Sequence, residues 1–294
     1  LTAPMCVLVE GNKIAKIGND LSPAEGTKVI DATGHTLTPG FIAVHEHIVG
    51  QMPFSDIFNK DTRYAAYVAT DTVHNYLMNG FTTIRDLGGP ANYLRKIIDA
   101  RVLPGPRIYP TENWITTTSG HGDFRELNDP HPNIDGDRRH FYEDYVTIIA
   151  DGRDEHMRAA REAFRRGATQ LKIFTGGGVT SLFDPLHSGP MDEEVQAVVE
   201  VADRWDTYVA VHAHTEQALK QAIDNGIKSI EHAPWLTDEQ AKIMIKEDLF
   251  LASAFSPVFS IPVEQAQKAY PPASVTKWLA VREAAENLIE VIKN

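Results

Sequence analysis

FIAVHEHIVG, residues 41 to 50, places two histidines and an acid inside an apolar run that begins just after a Pro-Gly pair. Strands buried on both faces are typically continuous runs of Val, Ile and Leu. A polar side chain buried there without a partner costs on the order of 1 to 3 kcal/mol. His45 and His47 lie two residues apart and would point to the same side of a strand, whereas Glu46 would point to the other. Two imidazoles side by side favour a metal site.

Apolar strands and amphipathic helices alternate after this stretch, which predicts βαβ units and a parallel sheet. Seven strands are predicted, at 41–47, 82–86, 107–110, 170–174, 208–214, 229–232 and 250–252. Helices are predicted, among others, at 154–166, 192–206, 215–225 and 273–293. Asp192 is the expected N-cap of the second helix, and Gly167 and Gly226 are expected to end the first and the third.

Two regions differ from this pattern. Residues 1–40 contain short β-like pieces at 6–18 and 27–40, separated by turn signals, and predict a small β subdomain. Segment 111–152 is polar and rich in Gly, Pro, Asp and His, which predicts an ordered loop over an active-site face.

The chain has 294 residues, and a (β/α)8 barrel needs about 250. We therefore predict an α/β protein, with the β subdomain at 1–40 and a TIM-like barrel at 41–294.

Composition limits the partners of the chain. The net charge of −12 and the absence of a basic run argue against nucleic acid. No stretch approaches the roughly 20 apolar residues of a membrane helix, and the lone Cys6 excludes an internal disulfide. These features predict a soluble, cytoplasmic protein. The chain starts at Leu1 rather than Met, so a removed signal segment stays open as an alternative.

Further polar residues interrupt apolar strands just before a turn or a helix. They are Lys172, His212, His214 and His232. A single His-x-His pair is more often a coincidence, and a single strand-end lysine is more often ion-paired. Recurrence on several strands favours a site, because barrel enzymes assemble their sites at the carboxyl ends of the strands.

FIAVHEH, TTIRDLGG, LKIFTGGGVTS and VHAHTEQALKQAIDNGIKSIEH together resemble the amidohydrolase superfamily. The likeness is to its imidazolonepropionase-related branch, which contains metal-dependent dipeptidases and related amide hydrolases, and it spans residues 37–293. The resemblance implies a TIM-like barrel with two divalent cations. It further implies that His45 and His47 bind the more buried cation, that His212 and His232 bind the second, and that N-carboxylated Lys172 bridges the two.

The implied lysine modification is chemically consistent. A free ammonium with a pKa of about 10.4 cannot bind a cation, whereas a carbamate offers two anionic oxygens that can span metals about 3.5 to 4 Å apart. A water or hydroxide bridging the metals would attack the carbonyl of the substrate. Zinc is the expected metal, with manganese, iron and cobalt as alternatives.

Two further histidines are candidates for contact with the substrate. His214 shares a face with His212 and is expected to hydrogen-bond the oxyanion or the substrate; the alternative is that it orients a ligand. His121 lies between Gly120 and Gly122, and the resemblance implies contact with the substrate, with an ordinary loop histidine as the alternative.

Neighbouring residues have structural expectations. Asp86 would either steady a ligand histidine or form a local ion pair with Arg85. The Gly176–Gly178 run lacks the Lys-Ser/Thr of a P-loop and is expected to bring backbone close to the metals.

The superfamily's aspartate at the end of an eighth strand has no counterpart after His232, because the chain ends in the helix expected to precede that strand. We therefore expect a barrel truncated before its eighth strand and favour the interpretation that the sequence is a fragment. An exposed sheet edge also invites pairing with another chain, which predicts a homo-oligomer.

The expected function is that of a binuclear metal-dependent hydrolase that cleaves an amide bond of a dipeptide or N-acyl amino acid. One alternative keeps the metals but changes the substrate to a cyclic amide, a lactone or an aromatic N-acyl amino acid such as a mycotoxin conjugate. Another is a catalytically silent barrel that serves as a binding or assembly module.

Overall fold

The computed structural model describes residues 5–19, 21–52, 56, 60–134, 145–181 and 189–293. The chain forms two compact units, Leu1–Pro39 and Gly40–Asn294. None of the helices in the described ranges combines the length and the apolar character needed to cross a membrane.

The first unit contains an antiparallel hairpin of strands β1 (Cys6–Glu10) and β2 (Lys13–Gly18). Gly11 in its turn has a φ of 62°, in the left-handed region that favours glycine. The β structure predicted for residues 27–40 is wrong, since these residues form turns and irregular backbone. The apolar side chains there are exposed, Val29 by 75% and Leu37 by 74%, so the sequence alternation has no buried face within this unit.

Parallel strands make up the second unit. They are β3 (Phe41–Glu46), β4 (Phe81–Asp86), β5 (Arg107–Pro110), β6 (Trp114–Thr116), β7 (Thr147–Ile149), β8 (Leu171–Phe174), β9 (Val209–Ala213), β10 (Ser229–His232) and β11 (Phe250–Ala252). The sheet orders are β3-β4-β5 and β7-β6-β8-β9-β10-β11. The backbone N–H of Thr169 donates to the Pro110 carbonyl at 2.7 Å, which connects β5 to the start of β8. The prediction of an α/β protein with parallel strands is confirmed.

Helices connect the strands. They are α1 (Thr62–Met78), α2 (Asn92–Asp99), α3 (Arg153–Arg166), α4 (Asp192–Arg204), α5 (Glu216–Asp224), α6 (Asp238–Lys246), α7 (Ser256–Phe259), α8 (Val263–Ala269) and α9 (Pro272–Lys293). Asp61, Thr215 and Thr237 cap α1, α5 and α6 by accepting from backbone N–H groups of the first turn. Apolar side chains of α3 to α6 pack on β8 to β10 in one buried cluster.

All seven predicted strands are present within one residue of their predicted ends. The prediction of a loop at 111–152 is wrong in part, because β6 and β7 lie inside it. Each has only three residues, too few for an alternation to be recognised among polar neighbours. Residues 135–144 of this segment lie outside the described residues.

The predicted ends of the helices are partly confirmed. Gly167 follows α3 with a left-handed φ of 113°. Asp192 is not the N-cap of α4; that position belongs to Met191, and Asp192 is the first helical residue. The Glu194 carboxylate instead accepts from the Met191 N–H at 2.6 Å, because an acid in the first turn can reach back to the free backbone donors.

Glu112 links β5, β6 and the start of α2. Its carbonyl accepts from the Gly89 N–H at 2.8 Å, and its carboxylate accepts from the backbone N–H of Asn92, the first residue of α2. Although this helix start favours an anion, burial raises the pKa of Glu112 to about 7. The folded state therefore holds this proton more tightly than the unfolded chain does.

Glu112→Gln should make the free energy of unfolding less dependent on pH. With a folded pKa above the unfolded value, stability is lost as pH rises from about 4.5 through about 7, by on the order of 2 to 3 kcal/mol. The free energy of unfolding of the variant, minus that of the parent, should grow across this window and stay constant above it. Urea unfolding at pH 5, 6, 7 and 8 measures this difference, with exposed Glu286→Gln as the control. A difference that does not change with pH would contradict the interpretation.

Candidate metal centre

The histidines and the lysine singled out in the sequence meet at the carboxyl ends of the parallel strands. His45 is in β3, Lys172 in β8, His212 in β9 and His232 in β10. His47 and His214 each come one residue after the end of a strand, and His121 comes from the segment after β6. All seven predicted site residues therefore belong to one cluster, which we call the histidine cluster.

His232 lies at the middle of the histidine cluster. Its ring centroid is 4.5 Å from that of His45, 4.7 Å from that of His212 and 5.2 Å from that of His214. His47 contacts His45 edge-on at 5.4 Å. These distances bring imidazoles from β3, β9 and β10 into direct contact.

Three of the histidines could hold a metal ion. One ring nitrogen from each of His212, His214 and His232 lies within 4.8 Å of the other two. The structure thus brings His214, which the sequence analysis assigns to the substrate, as close to a cation position as two of the expected ligands. Its role as a substrate contact stays a prediction.

The pKa values of the histidine cluster favour binding of a cation. Burial lowers the pKa of His47 to about 4 and that of His214 to about 3, with the charge of Lys172 as a further cause. Burial also lowers the pKa of His45, His212 and His232 well below the usual value. These imidazoles are therefore neutral at pH 7, which is the state that binds metals.

Lys172 is almost fully buried, with 1% of its surface exposed. Burial lowers its pKa to about 8; the nearby Arg85 acts in the same direction and Glu231 opposes it. Its ammonium nitrogen lies 5.7 Å from the centre of the Phe174 ring. A larger fraction of this amine is neutral near pH 8 than for an exposed lysine.

Hydrogen bonds define which ring nitrogens carry lone pairs. His212 Nε2 lies 3.1 Å from the Gly177 carbonyl, which can only accept, so Nδ1 is the nitrogen without a proton. His214 Nδ1 is buried and has no hydrogen-bond partner among the described residues. A divalent cation fits this set, since neutral imidazoles with free lone pairs are good ligands for it.

Gly178 brings backbone against the histidine cluster. A Cβ atom built on Gly178 would lie 2.8 Å from ring atoms of both His121 and His212. The His121 ring stacks on His212 at 4.1 Å, and its Nδ1 is 2.6 Å from the Ser181 hydroxyl. The close backbone approach expected of the glycine run is present at Gly178.

Asp86 and Arg85 differ from expectation. The fully buried Asp86 carboxylate accepts from the backbone N–H groups of Ile48, at 2.7 Å, and Gly88, at 3.1 Å, and so fixes the chain just after His47. Arg85 forms its ion pair with Glu231 on β10. Glu231 is not among the site residues predicted from the sequence, although it directly precedes His232 in SIEH.

Comparison with known proteins identifies the family. The profile of the amidohydrolase family matches residues 36–256. Ochratoxinase from Aspergillus niger is 31% identical over 242 residues, which cover 76% of this chain and 48% of that protein. Among solved structures, a prolidase complexed with N-methylphosphonate-L-proline has a TM-score of 0.86 at 29% identity, covering 97% of this chain and 70% of that one. A Xaa-Pro dipeptidase with bound methionine has a TM-score of 0.81 at 27% identity, covering 98% and 72%.

The chain belongs to the amidohydrolase family. Its fold is the TIM-like barrel of that family, as the sequence predicts. The chain spans about half the length of the ochratoxinase that it matches.

Gly178→Ala should weaken metal binding without unfolding the protein. The added methyl group meets two ring edges at 2.8 Å, so His212 has to move from its position in the histidine cluster. We expect zinc affinity, measured by competition with a chromophoric chelator, to fall at least about tenfold, the range seen when ligand orientation is disturbed. Gly189→Ala is the control, because its methyl group meets only the Thr117 hydroxyl at 3.1 Å and backbone atoms near 4 Å. Equal zinc affinities for the two variants would contradict this reading.

Proposed function

We propose that the chain carries the catalytic centre of a binuclear metal-dependent hydrolase that cleaves the amide bond of a dipeptide or N-acyl amino acid. The main support is the convergence of neutral, buried or half-buried imidazoles and a buried lysine at the carboxyl ends of parallel strands. Membership of the amidohydrolase family points the same way.

Under this proposal, His45 and His47 hold one divalent cation, and His212 and His232 hold the other. Zinc is the expected metal, since neutral imidazole suits it. When bound, divalent cations supply a water acidic enough to attack at neutral pH and polarise the scissile carbonyl. The protein's part is to hold the imidazoles neutral and to keep their lone pairs directed inward.

Lys172 is proposed to supply the bridging ligand as a carbamate. The neutral amine, favoured by the lowered pKa of about 8, forms a C–N bond with carbon dioxide and releases one proton. The product has two anionic oxygens in place of a cation. This modification also removes the positive charge that lowers the pKa values of the surrounding histidines.

His214 and His121 are proposed to contact the substrate. His214 stacks on His212 at a centroid distance of 4.3 Å and has a buried Nδ1 without a partner among the described residues, so in the tautomer that is protonated on Nδ1 it can donate to an incoming polar group. His121 is held by Ser181 through Nδ1, which leaves its Nε2 atom for the substrate. Both would stabilise charge that develops on the carbonyl oxygen.

The substrate proposal rests on the relatives. The structures with TM-scores above 0.8 include a prolidase and a Xaa-Pro dipeptidase, which favours a dipeptide with proline at its C-terminal side. The likeness to ochratoxinase supports an aromatic N-acyl amino acid as the second candidate.

The experiment is hydrolysis of a panel of substrates by protein loaded with zinc and bicarbonate. We expect release of the C-terminal amino acid from Xaa-Pro dipeptides or from N-acyl aromatic amino acids, about two zinc ions per chain, and loss of both after treatment with a chelator. Lys172→Met should lose the bridging ligand and with it zinc and activity.

Exposed Lys242→Met is the matched control and should behave as the parent. In protein incubated with 13C-bicarbonate, a carbamate resonance should be present in the parent and in Lys242→Met but missing in Lys172→Met. A parent protein that binds no zinc would contradict the proposal and favour a silent binding barrel. Two zinc ions without activity on any amide would contradict the choice of substrate.

His214→Asn separates the two roles open to His214. As a contact to the developing oxyanion, its loss should lower kcat about 10²- to 10³-fold while zinc content and KM change little. As a ligand, its loss should instead lower the zinc content. Steady-state kinetics and metal analysis of the same sample distinguish these results, and loss of zinc would overturn the assignment to the substrate.

A further inference from the structure

Glu231 is a fully buried acid beside the histidine cluster that the proposed mechanism leaves unused. It lies in β10, directly before His232. Its carboxylate is surrounded by donors from three strands, which are Arg85 of β4, Ser229 of β10 and His45 of β3. A buried charge needs such partners, and here the guanidinium of Arg85 and the hydroxyl of Ser229 both donate to the carboxylate.

Two contacts hold Glu231 in place. Arg85 Nη2 donates to both carboxylate oxygens, at 2.8 and 3.0 Å, and the Ser229 hydroxyl donates to Oε1 at 2.7 Å. Arg85 also donates through Nη1 to the Ser229 hydroxyl at 2.7 Å. The charge of Glu231 is thereby neutralised, and its second oxygen is aimed at His45.

The third contact determines the protonation pattern of His45. His45 Nδ1 lies 2.7 Å from Glu231 Oε2, and an ionised carboxylate can only accept, so the imidazole carries its proton on Nδ1. The lone pair then lies on Nε2. Arg85 Nε further donates to the carbonyl of Val44, so the same network fixes both the backbone before His45 and its ring.

We infer that Glu231 is a positioning residue that fixes the tautomer and ring orientation of His45 for metal binding, with Arg85 holding the carboxylate in place. This inference rests on the proposed function only in taking His45 as a ligand. Glu231 then contributes to metal affinity rather than to the chemical step.

The first test uses the metal-free parent protein and needs no substitution. Long-range 1H–15N correlation spectra of 15N-labelled protein distinguish the two imidazole tautomers, and His45→Asn identifies the His45 signals. We expect His45 to be protonated on Nδ1. Protonation on Nε2 would overturn the inference whatever the protein does with metal.

The second test compares Glu231→Gln with Ser229→Ala. The Gln amide has one acceptor oxygen where the carboxylate has two, and its NH2 group can face His45 Nδ1, so an acceptor for His45 is no longer guaranteed; the Nδ1–H tautomer should decline and zinc affinity should fall about 10- to 100-fold. Ser229→Ala removes another donor to the same carboxylate but keeps the acceptor for His45, so the tautomer should be unchanged. Glu112→Gln controls for the loss of a buried acid outside the cluster.

The outcomes separate this inference from the proposed function. Should Glu231→Gln fail to fold, Arg85→Gln/Glu231→Gln tests the same contact without an unpaired cation. A parent that binds zinc, with unchanged tautomer and zinc affinity in the Glu231 variant, overturns the inference alone. A parent that binds no zinc contradicts the proposed function, while the tautomer measurement still decides whether Glu231 directs His45.

Discussion

Exclusion of water from one group of nitrogen bases is the constraint on which the rest of the site depends. Six histidines and Lys172 lie together, buried or half-buried, and a positive charge on one of them makes protonation of the others less favourable. Burial lowers their pKa values and leaves ring nitrogens without a hydrogen-bond partner in the part of the chain that the structure describes, as at His214 Nδ1. An unsatisfied buried nitrogen costs about 1 to 3 kcal/mol, so a cation that accepts several lone pairs at once would relieve this cost.

The barrel makes this arrangement possible because the site residues come from the ends of several strands, with Lys172 on β8 and His212 on β9 as the only polar residue of each strand. The remaining residues of β8 and β9 are apolar and pack on α3 to α5. The helices therefore stabilise the strands, and the histidines and the lysine lie at the carboxyl ends. Asp86 is an example of a side chain that fixes the backbone at the carboxyl end of a strand. Its carboxylate binds the backbone that follows His47, at the cost of burying an acid whose pKa is raised well above its usual value.

The sequence predicts long-range organisation better than local detail. Strands β8 and β9 are recognisable because continuous apolar runs need burial on both faces, and Lys172 and His212 are recognisable because they break those runs. The three-residue strand Trp114–Thr116 leaves no such pattern among its polar neighbours, and the exposed apolar residues near Val29 imitate one. Glu231 breaks a run as clearly as His232 does, but its partners Arg85 and His45 lie about 150 and 190 residues away, so spacing alone could not reveal them.

Backbone conformation explains how the side chains of Glu231 and His232 can both contact the His45 ring. Consecutive residues of a strand point to opposite sides, yet the Glu231 carboxylate bonds His45 and the His232 ring lies 4.5 Å from it. His232 and Ala233 have φ values of 71° and 49°, so the chain leaves the extended conformation at His232 and the alternation ends there. Left-handed backbone costs about 1 to 2 kcal/mol for each such residue, and it is held by the Ala233 N–H, which donates to the carbonyls of Ala213 and Glu231. The strain therefore lies where two adjacent side chains must converge on one imidazole.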